Sequence, residues 1–181
     1  GGVVVIFGAG PIGLMLMILG KKFYGVDKII IVEPSESRRN MALDLGADIV
    51  IDPTVQDPVA MVMNTTDNQG AQAIFTACPV IETHKQAIKM VAKRGVVNFF
   101  GGVPKDEPEI SLLSNFIHYR EAYITGSHGS TPEQHKTALN LIANKSVDIS
   151  SLVSESVPLS DIMRGFELAA SGKLAKVMVT P

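Results

Sequence analysis

The chain has 181 residues, 46% of them hydrophobic, which is ample for one core and borderline for two domains. Its formal net charge of -2 and scattered charges leave no basic stripe for nucleic acid, and its apolar runs are too short or too broken by Gly and Lys to span a bilayer. A single cysteine excludes an internal disulfide framework and a cysteine-rich zinc site, so a reducing cytoplasm is the simplest compartment. No signal peptide is read, and an opening directly on an apolar strand suggests a piece of a longer protein.

The first stretch is the most informative. Val3-Val4-Val5-Ile6-Phe7 reads as a buried strand. Gly8, Gly10 and Gly13 follow at the spacing G-x-G-x-x-G, and the next apolar run is long enough to be a helix. Gly8 lets the chain turn off the strand, Gly10 lets a pyrophosphate approach the backbone, and Gly13 lets the helix pack close to the strand. Pro11 suits the first helical turn, where its missing N–H costs nothing. The free N–H groups there, with the helix dipole, favour an anion. A second strand, Lys28-Ile29-Ile30-Ile31-Val32, ends in Glu33, where a dinucleotide site places an acid for the adenosine ribose hydroxyls. Alone, Glu33 would read as a solvated strand-end carboxylate. In this order the elements predict dinucleotide binding, and the acid favours NAD over NADP.

Ser35 is read as the cap of a second helix that runs to a stop at Gly46, and Asp48 to Ile51 as the third strand. A helix is expected from Pro58 to about Thr66 and a fourth strand over Ala71 to Thr76. A helix from Ile81 to Ala92 and a fifth strand over Gly95 to Phe100 come next, then a loop from Val103 to Pro108. A short helix near Leu112 to Tyr119 and a sixth strand over Ala122 to Thr125 complete the alternation. The pattern predicts an α/β fold, a doubly wound parallel sheet of strand order 3-2-1-4-5-6 with its ligand crevice at the strands' carboxyl ends. From Thr131 the rhythm changes. Thr131 caps a helix to about Asn144, Ile149 to Val157 is loop or short strand, Ser160 caps a helix to about Ala170, and Lys176 to Thr180 is a terminal strand. The expected division is residues 1–129 as the dinucleotide-binding unit and 130–181 as a tail belonging to another layer.

The series resembles the coenzyme-binding half of a medium-chain, zinc-type alcohol dehydrogenase. Its marks are Val4-Val5-Ile6-Phe7-Gly8-Ala9-Gly10-Pro11-Ile12-Gly13 and Glu33-Pro34-Ser35-Glu36-Ser37-Arg38-Arg39, followed by Ala42, Leu45-Gly46-Ala47-Asp48. Gly95-Val96-Val97, Gly101-Gly102-Val103-Pro104, Gly126-Ser127 and the close from Pro158 to Val177 continue the match. His118-Tyr119-Arg120-Glu121 before Gly126-Ser127-His128-Gly129 resembles the polyol and threonine dehydrogenase branches most.

The resemblance implies hydride transfer between a secondary alcohol and NAD, with a zinc ion polarising the alcohol oxygen. The zinc would lie outside this chain, in a catalytic domain to which residues 130–181 contribute, and the chain alone would be inactive. No catalytic or metal-binding residue is assigned here. The full-length protein would be a homo-oligomer, a dimer or tetramer, acting on a small-molecule alcohol. The resemblance assigns the cofactor to Gly8, Gly10, Pro11, Ile12, Gly13 and Glu33 on the adenosine and pyrophosphate side. Arg38 would stand near the adenosine ribose, where with Ser35 it could instead greet a 2′-phosphate, or be a solvated helix cation. Cys78 would line the adenosine groove as a small residue, with Pro79 standing where a glycine is common. Gly102 and Val103 would pass beside the nicotinamide, Thr125 near its carboxamide, and Lys176 would reach the pyrophosphate from the tail.

Two other functions are compatible with such a fold. One is an NADPH-dependent, zinc-free quinone or enoyl reductase domain; the other is a non-catalytic NAD-binding module. His84 and His135 read as helix-surface residues, and His118 and His128 as lying near the active edge of the sheet. The methionines read as core fillers.

Overall fold

The computed structural model describes residues 1–106 and 109–181, so the last two residues of the loop expected over Val103 to Pro108 lie outside the described ones. Six parallel strands form the main sheet: β1 (Val3–Phe7), β2 (Lys28–Val32), β3 (Ile49–Ile51), β4 (Ala71–Thr76), β5 (Val91–Phe99) and β6 (Tyr123–Gly126). Their order is β3-β2-β1-β4-β5-β6, as the alternation predicted. The helices between them are α1 (Pro11–Phe23), α2 (Glu36–Asp44), α3 (Pro58–Thr65), α4 (Ile81–Lys89) and α5 (Ser114–Arg120).

The sheet is buried on both faces, which is why its inner strands are continuous apolar runs. One core joins Val5, Phe7, Ile30, Val32 and Ile74 to Val62 of α3 and Ala87 of α4. The other joins Ile6, Ile29 and Ile31 to Leu14 and Met17 of α1 and Ala42 of α2. Fully burying such a side chain contributes about 1.5–3 kcal/mol. Strand order reverses between β2-β1 and β1-β4, so the chain leaves β1 and β4 in opposite directions and opens a crevice there.

Three local expectations change. Helix α4 ends at Lys89, three residues early, because Ala71 N–H takes the Met90 carbonyl and draws the chain into the sheet. Strand β5 therefore begins at Val91, and its register with β4 shifts between Ala71 and Ala73, with Arg94 in the left-handed region at φ 60. Ser35 occupies the cap position of α2, but its hydroxyl pairs with Ser37 Oγ at 3.0 Å and caps nothing. Ser160 falls inside a 3-10 turn, Leu159–Asp161, so the following helix, α7 (Ile162–Ala170), starts later than expected.

Before that turn, α6 (Pro132–Ala143) carries the expected start as a full capping box: Gln134 N–H donates to Thr131 Oγ1, and Thr131 N–H to Gln134 Oε1. Strands β7 (Val153–Pro158) and β8 (Lys176–Thr180) pair in parallel as a separate two-stranded sheet, crossed by α7. Leu152 and Ala175, just before each strand, are buried in the α1-side core and anchor the tail to it. Among the described residues no helix is long and apolar enough to cross a membrane.

Candidate dinucleotide site

The glycine turn is shaped by three separate constraints. Gly8 has φ +100, a backbone conformation that L side chains rarely adopt. A Cβ on Gly13 would lie 1.9 Å from the Gly8 carbonyl oxygen, so the helix touches the turn through bare backbone. At Gly10 the same Cβ would meet nothing within 4 Å, and its φ of -74 suits any residue. Space over Gly10 is thus left open by the fold and not required by it. Pro11 opens α1, and Ile12 beside it is exposed.

Glu33, only 5% exposed, closes this turn from β2. One carboxylate oxygen accepts from Ala9 N–H at 2.8 Å and the other from Ser35 N–H at 3.0 Å. Each oxygen retains lone-pair capacity for a further donor. Arg39 holds the adjoining backbone: it donates to the carbonyls of Glu33 and Pro34 and pairs with Asp52 at 2.9 Å. The sequence set Arg39 beside Arg38 as a cation able to meet a 2′-phosphate; its guanidinium is committed to this clamp instead.

A cleft of about 420 Å³ opens from this corner, lined by Phe7, Gly8, Val32, Glu33, Pro34 and Arg38 on one side and Cys78, Thr83 and Gln86 across from them. The residues on the far side belong to the loop after β4, which the sequence places at the crevice from Thr76 to Pro79, and to the first turns of α4, which it does not. Arg38 Nε is sealed from solvent without a hydrogen-bond partner among the described residues. The apolar walls, a paired carboxylate, an open glycine backbone and an underused guanidinium fit a nucleotide.

Cys78 is half-buried and donates to Thr83 Oγ1 at 3.6 Å. Burial pushes its thiol pKa up and the nearby Glu33 charge adds to this, against a smaller downward pull from Thr83 and the Val80 backbone. It is a neutral groove wall and not an activated nucleophile. Gly102 and Val103 leave β5 on the same side of the sheet, and a Cβ on Gly102 would meet nothing within 4 Å. Thr125 is exposed near the end of β6. None of these three lines the cleft beside Glu33, and Lys176, exposed at the start of β8, does not line it either.

Two histidine expectations divide. His135 is on the surface, bonded to Ser130 Oγ at 2.8 Å. His84 is not: it is 5% exposed, because α4 turns this residue inward onto Phe99, whose ring it stacks at 4.1 Å. His118 and His128 are exposed. Among the described residues no group of three or more His, Cys, Asp or Glu could hold a metal ion.

The family model described as zinc-binding dehydrogenase matches residues 11–144. The chain belongs to the zinc-binding dehydrogenase family. Among curated relatives, the zinc-binding dehydrogenase chain is 35% identical over 166 residues to scyllo-inosose 3-dehydrogenase of Thermotoga maritima, covering 88% of this chain and 40% of that protein. It is 31% identical to L-threonine 3-dehydrogenase of Thermococcus kodakarensis, covering 98% of this chain and 50% of that one. A zinc-binding dehydrogenase from Sinorhizobium meliloti 1021, crystallised with NADP, superimposes with a TM-score of 0.89 at 26% identity, over 100% of this chain and 53% of that one. The chain spans about half the length of the curated relatives it matches.

Proposed function

We propose that this chain is the NAD-binding portion of a zinc-dependent dehydrogenase that oxidises a secondary alcohol of the polyol or threonine type. The observation that carries the reading is the Glu33 carboxylate, braced by two backbone N–H groups beside the open backbone of Gly10. Gly8, Gly10, Pro11, Ile12 and Gly13 would cradle the pyrophosphate, and Glu33 would accept from the ribose hydroxyls. Arg38 and Cys78 would wall the adenosine pocket. Gly102, Val103 and Thr125 would flank the nicotinamide, with Lys176 reaching in from the tail.

When bound, the nicotinamide would exchange a hydride with the alcohol carbon, while a zinc ion held outside these residues polarises the alcohol oxygen. The chain's own part is to bind and orient: helix α1 presents its free N–H groups to an anion, and the cleft walls exclude water from the base. Residues 1–129 form the dinucleotide unit in this reading, and 130–181 belong to the catalytic layer. Support for that division comes from α7 and β8, where Met163, Phe166 and Met178 are exposed. A homo-oligomeric, cytoplasmic parent enzyme completes the proposal.

A second reading, an NADPH-dependent zinc-free reductase domain, draws on the unpartnered Arg38 Nε and on the NADP held by the Sinorhizobium meliloti relative. Calorimetric titration of the chain with NAD(H) and NADP(H) separates the two. Tighter binding of NAD is expected; preference for NADP would transfer support to the reductase.

A further inference from the structure

We propose that Gln86 reads the base of the dinucleotide: its side-chain amide accepts from the exocyclic amine of adenine and donates to the ring nitrogen beside that amine. The proposal rests on the reading that this chain binds an adenine dinucleotide whose ribose lies on Glu33.

The cleft beside Glu33 has two distinguishable ends. Gly8 and Glu33 mark the inner one, where the carboxylate accepts from the Ala9 N–H of the glycine turn. Pro53, Glu82 and Gln86 mark the outer one, because all three also line a second hollow of about 400 Å³ that continues toward Gln56, Asp57 and Lys89. Gln86 thus stands at the end of the cleft away from the glycine turn, where a base attached to a ribose on Glu33 would lie. The pitch of α4 puts it there. Glu82, Thr83 and Gln86 fall on one face of the helix, since residues three and four apart are neighbours on its surface. His84, Ala87 and Ile88 take the buried face. Val80, 49% exposed, and Pro53 add apolar wall at the same end for a flat ring to cover.

The hydrogen-bonding groups of the cleft single out Gln86. Thr83 Oγ1 is committed, donating to the Val80 carbonyl at 2.7 Å and accepting from Cys78 Sγ at 3.6 Å. Glu82 is exposed and pairs with Lys85 at 3.6 Å. Arg38 has an unpartnered Nε, but it belongs to α2 beside Glu33, and a guanidinium cannot accept from an amine. Gln86 is half-buried, and its side chain makes no hydrogen bond among the described residues. It keeps both a carbonyl oxygen and an NH2 free to meet a ligand. Adenine presents an amine donor next to a ring-nitrogen acceptor, and a primary amide is the side chain that answers both at once.

The test compares NAD with its 1,N6-etheno derivative, whose amine nitrogen carries no hydrogen and whose neighbouring ring nitrogen is blocked. Gln86→Leu should weaken NAD binding about tenfold in calorimetry, the worth of the hydrogen bonds lost, and leave the affinity for etheno-NAD unchanged. A role in packing alone would weaken both ligands equally, so the difference between the two losses isolates the contact with the base. In the unmodified protein ADP-ribose should shift the Gln86 side-chain amide resonances, and nicotinamide mononucleotide should not. Equal losses for both dinucleotides, no loss for either, a loss confined to etheno-NAD, or Gln86 resonances that ignore ADP-ribose would overturn the proposal. Should Gln86→Leu fail to fold, the resonance measurement on the unmodified protein decides alone. An unmodified chain that binds neither NAD nor ADP-ribose would instead sink the dinucleotide reading beneath it.

Discussion

A side chain added at Gly10 finds open space, whereas one added at Gly13 collides with the Gly8 carbonyl at 1.9 Å. The two glycines therefore separate binding from folding. Gly10→Val should abolish NADH binding in calorimetry while the melting temperature stays close to that of the parent. Gly13→Ala should lower stability by about 1–3 kcal/mol or more, since overpacked backbone has nowhere to yield. Glu33 serves both ends. Replacing it by alanine should weaken NAD binding by about tenfold or more, at roughly 1.4 kcal/mol per decade. It should also leave the buried Ala9 N–H unpaired, at a cost of about 1–3 kcal/mol in stability. Glu33→Gln keeps an acceptor for one of the two backbone donors but turns its NH2 toward the other, so it should lose part of the same stability. Relative affinity for NADP should rise in both variants, through Arg38 alone, because Arg39 is committed to Asp52 and two carbonyls. An unchanged NAD to NADP ratio would remove Glu33 from the ribose.

At the scale of the element, α6 is nearly all exposed, and Ala138, Leu141 and Ile142 face Met15, Ile18 and Leu19 of α1 across a small apolar pocket. Such a helix depends on its ends. Thr131→Ala should cost about 1 kcal/mol and fray α6 in hydrogen exchange, while the amides of β1 and β4 keep their protection. That capping box could be read in advance because both partners lie within one turn of each other. Strand β1, the glycine turn and Glu33 were legible for a similar reason: each rests on short-range spacing and apolar runs. What could not be read needed a partner from far along the chain. The end of α4 depends on Ala71 claiming the Met90 carbonyl, and the inward turn of His84 depends on Phe99 waiting across the gap. Arg39 looks like any helix cation until β3 brings Asp52 beside it. Ser35 and Ser160 had the right residue type for caps, but the Ser35 hydroxyl turned to Ser37 and a 3-10 turn took up Ser160.

For the whole molecule, the buried neutral ring of His84 sets a pH dependence. Its pKa lies below the ordinary 6.5, mainly through burial, so the unfolded chain takes up the proton first as pH falls. Stability contributed by the neutral ring is present above 6.5 and declines as pH drops toward the folded-state value. The melting temperature should fall across that interval, and His84→Gln should flatten the fall. The isolated chain should bind NAD(H) weakly and turn over no secondary alcohol with or without added zinc, since the described residues supply no cluster of metal donors. Measurable oxidation by the pure chain would contradict this.

The strand order has a further consequence, for the order of assembly during synthesis. Strand β1 finds β2 soon after it leaves the ribosome, but its other neighbour, β4, is made much later: Val4 lies against Ala73. Until then Val3–Phe7 presents an open apolar edge, a ready template for another copy of itself. A nascent chain stalled before Ala71 should therefore aggregate through β1, and one extended past Thr76 should sediment less, because β4 then covers that edge. Translation-arrested chains of graded length, assayed for sedimentation, would show a step as Ala71 to Thr76 emerge.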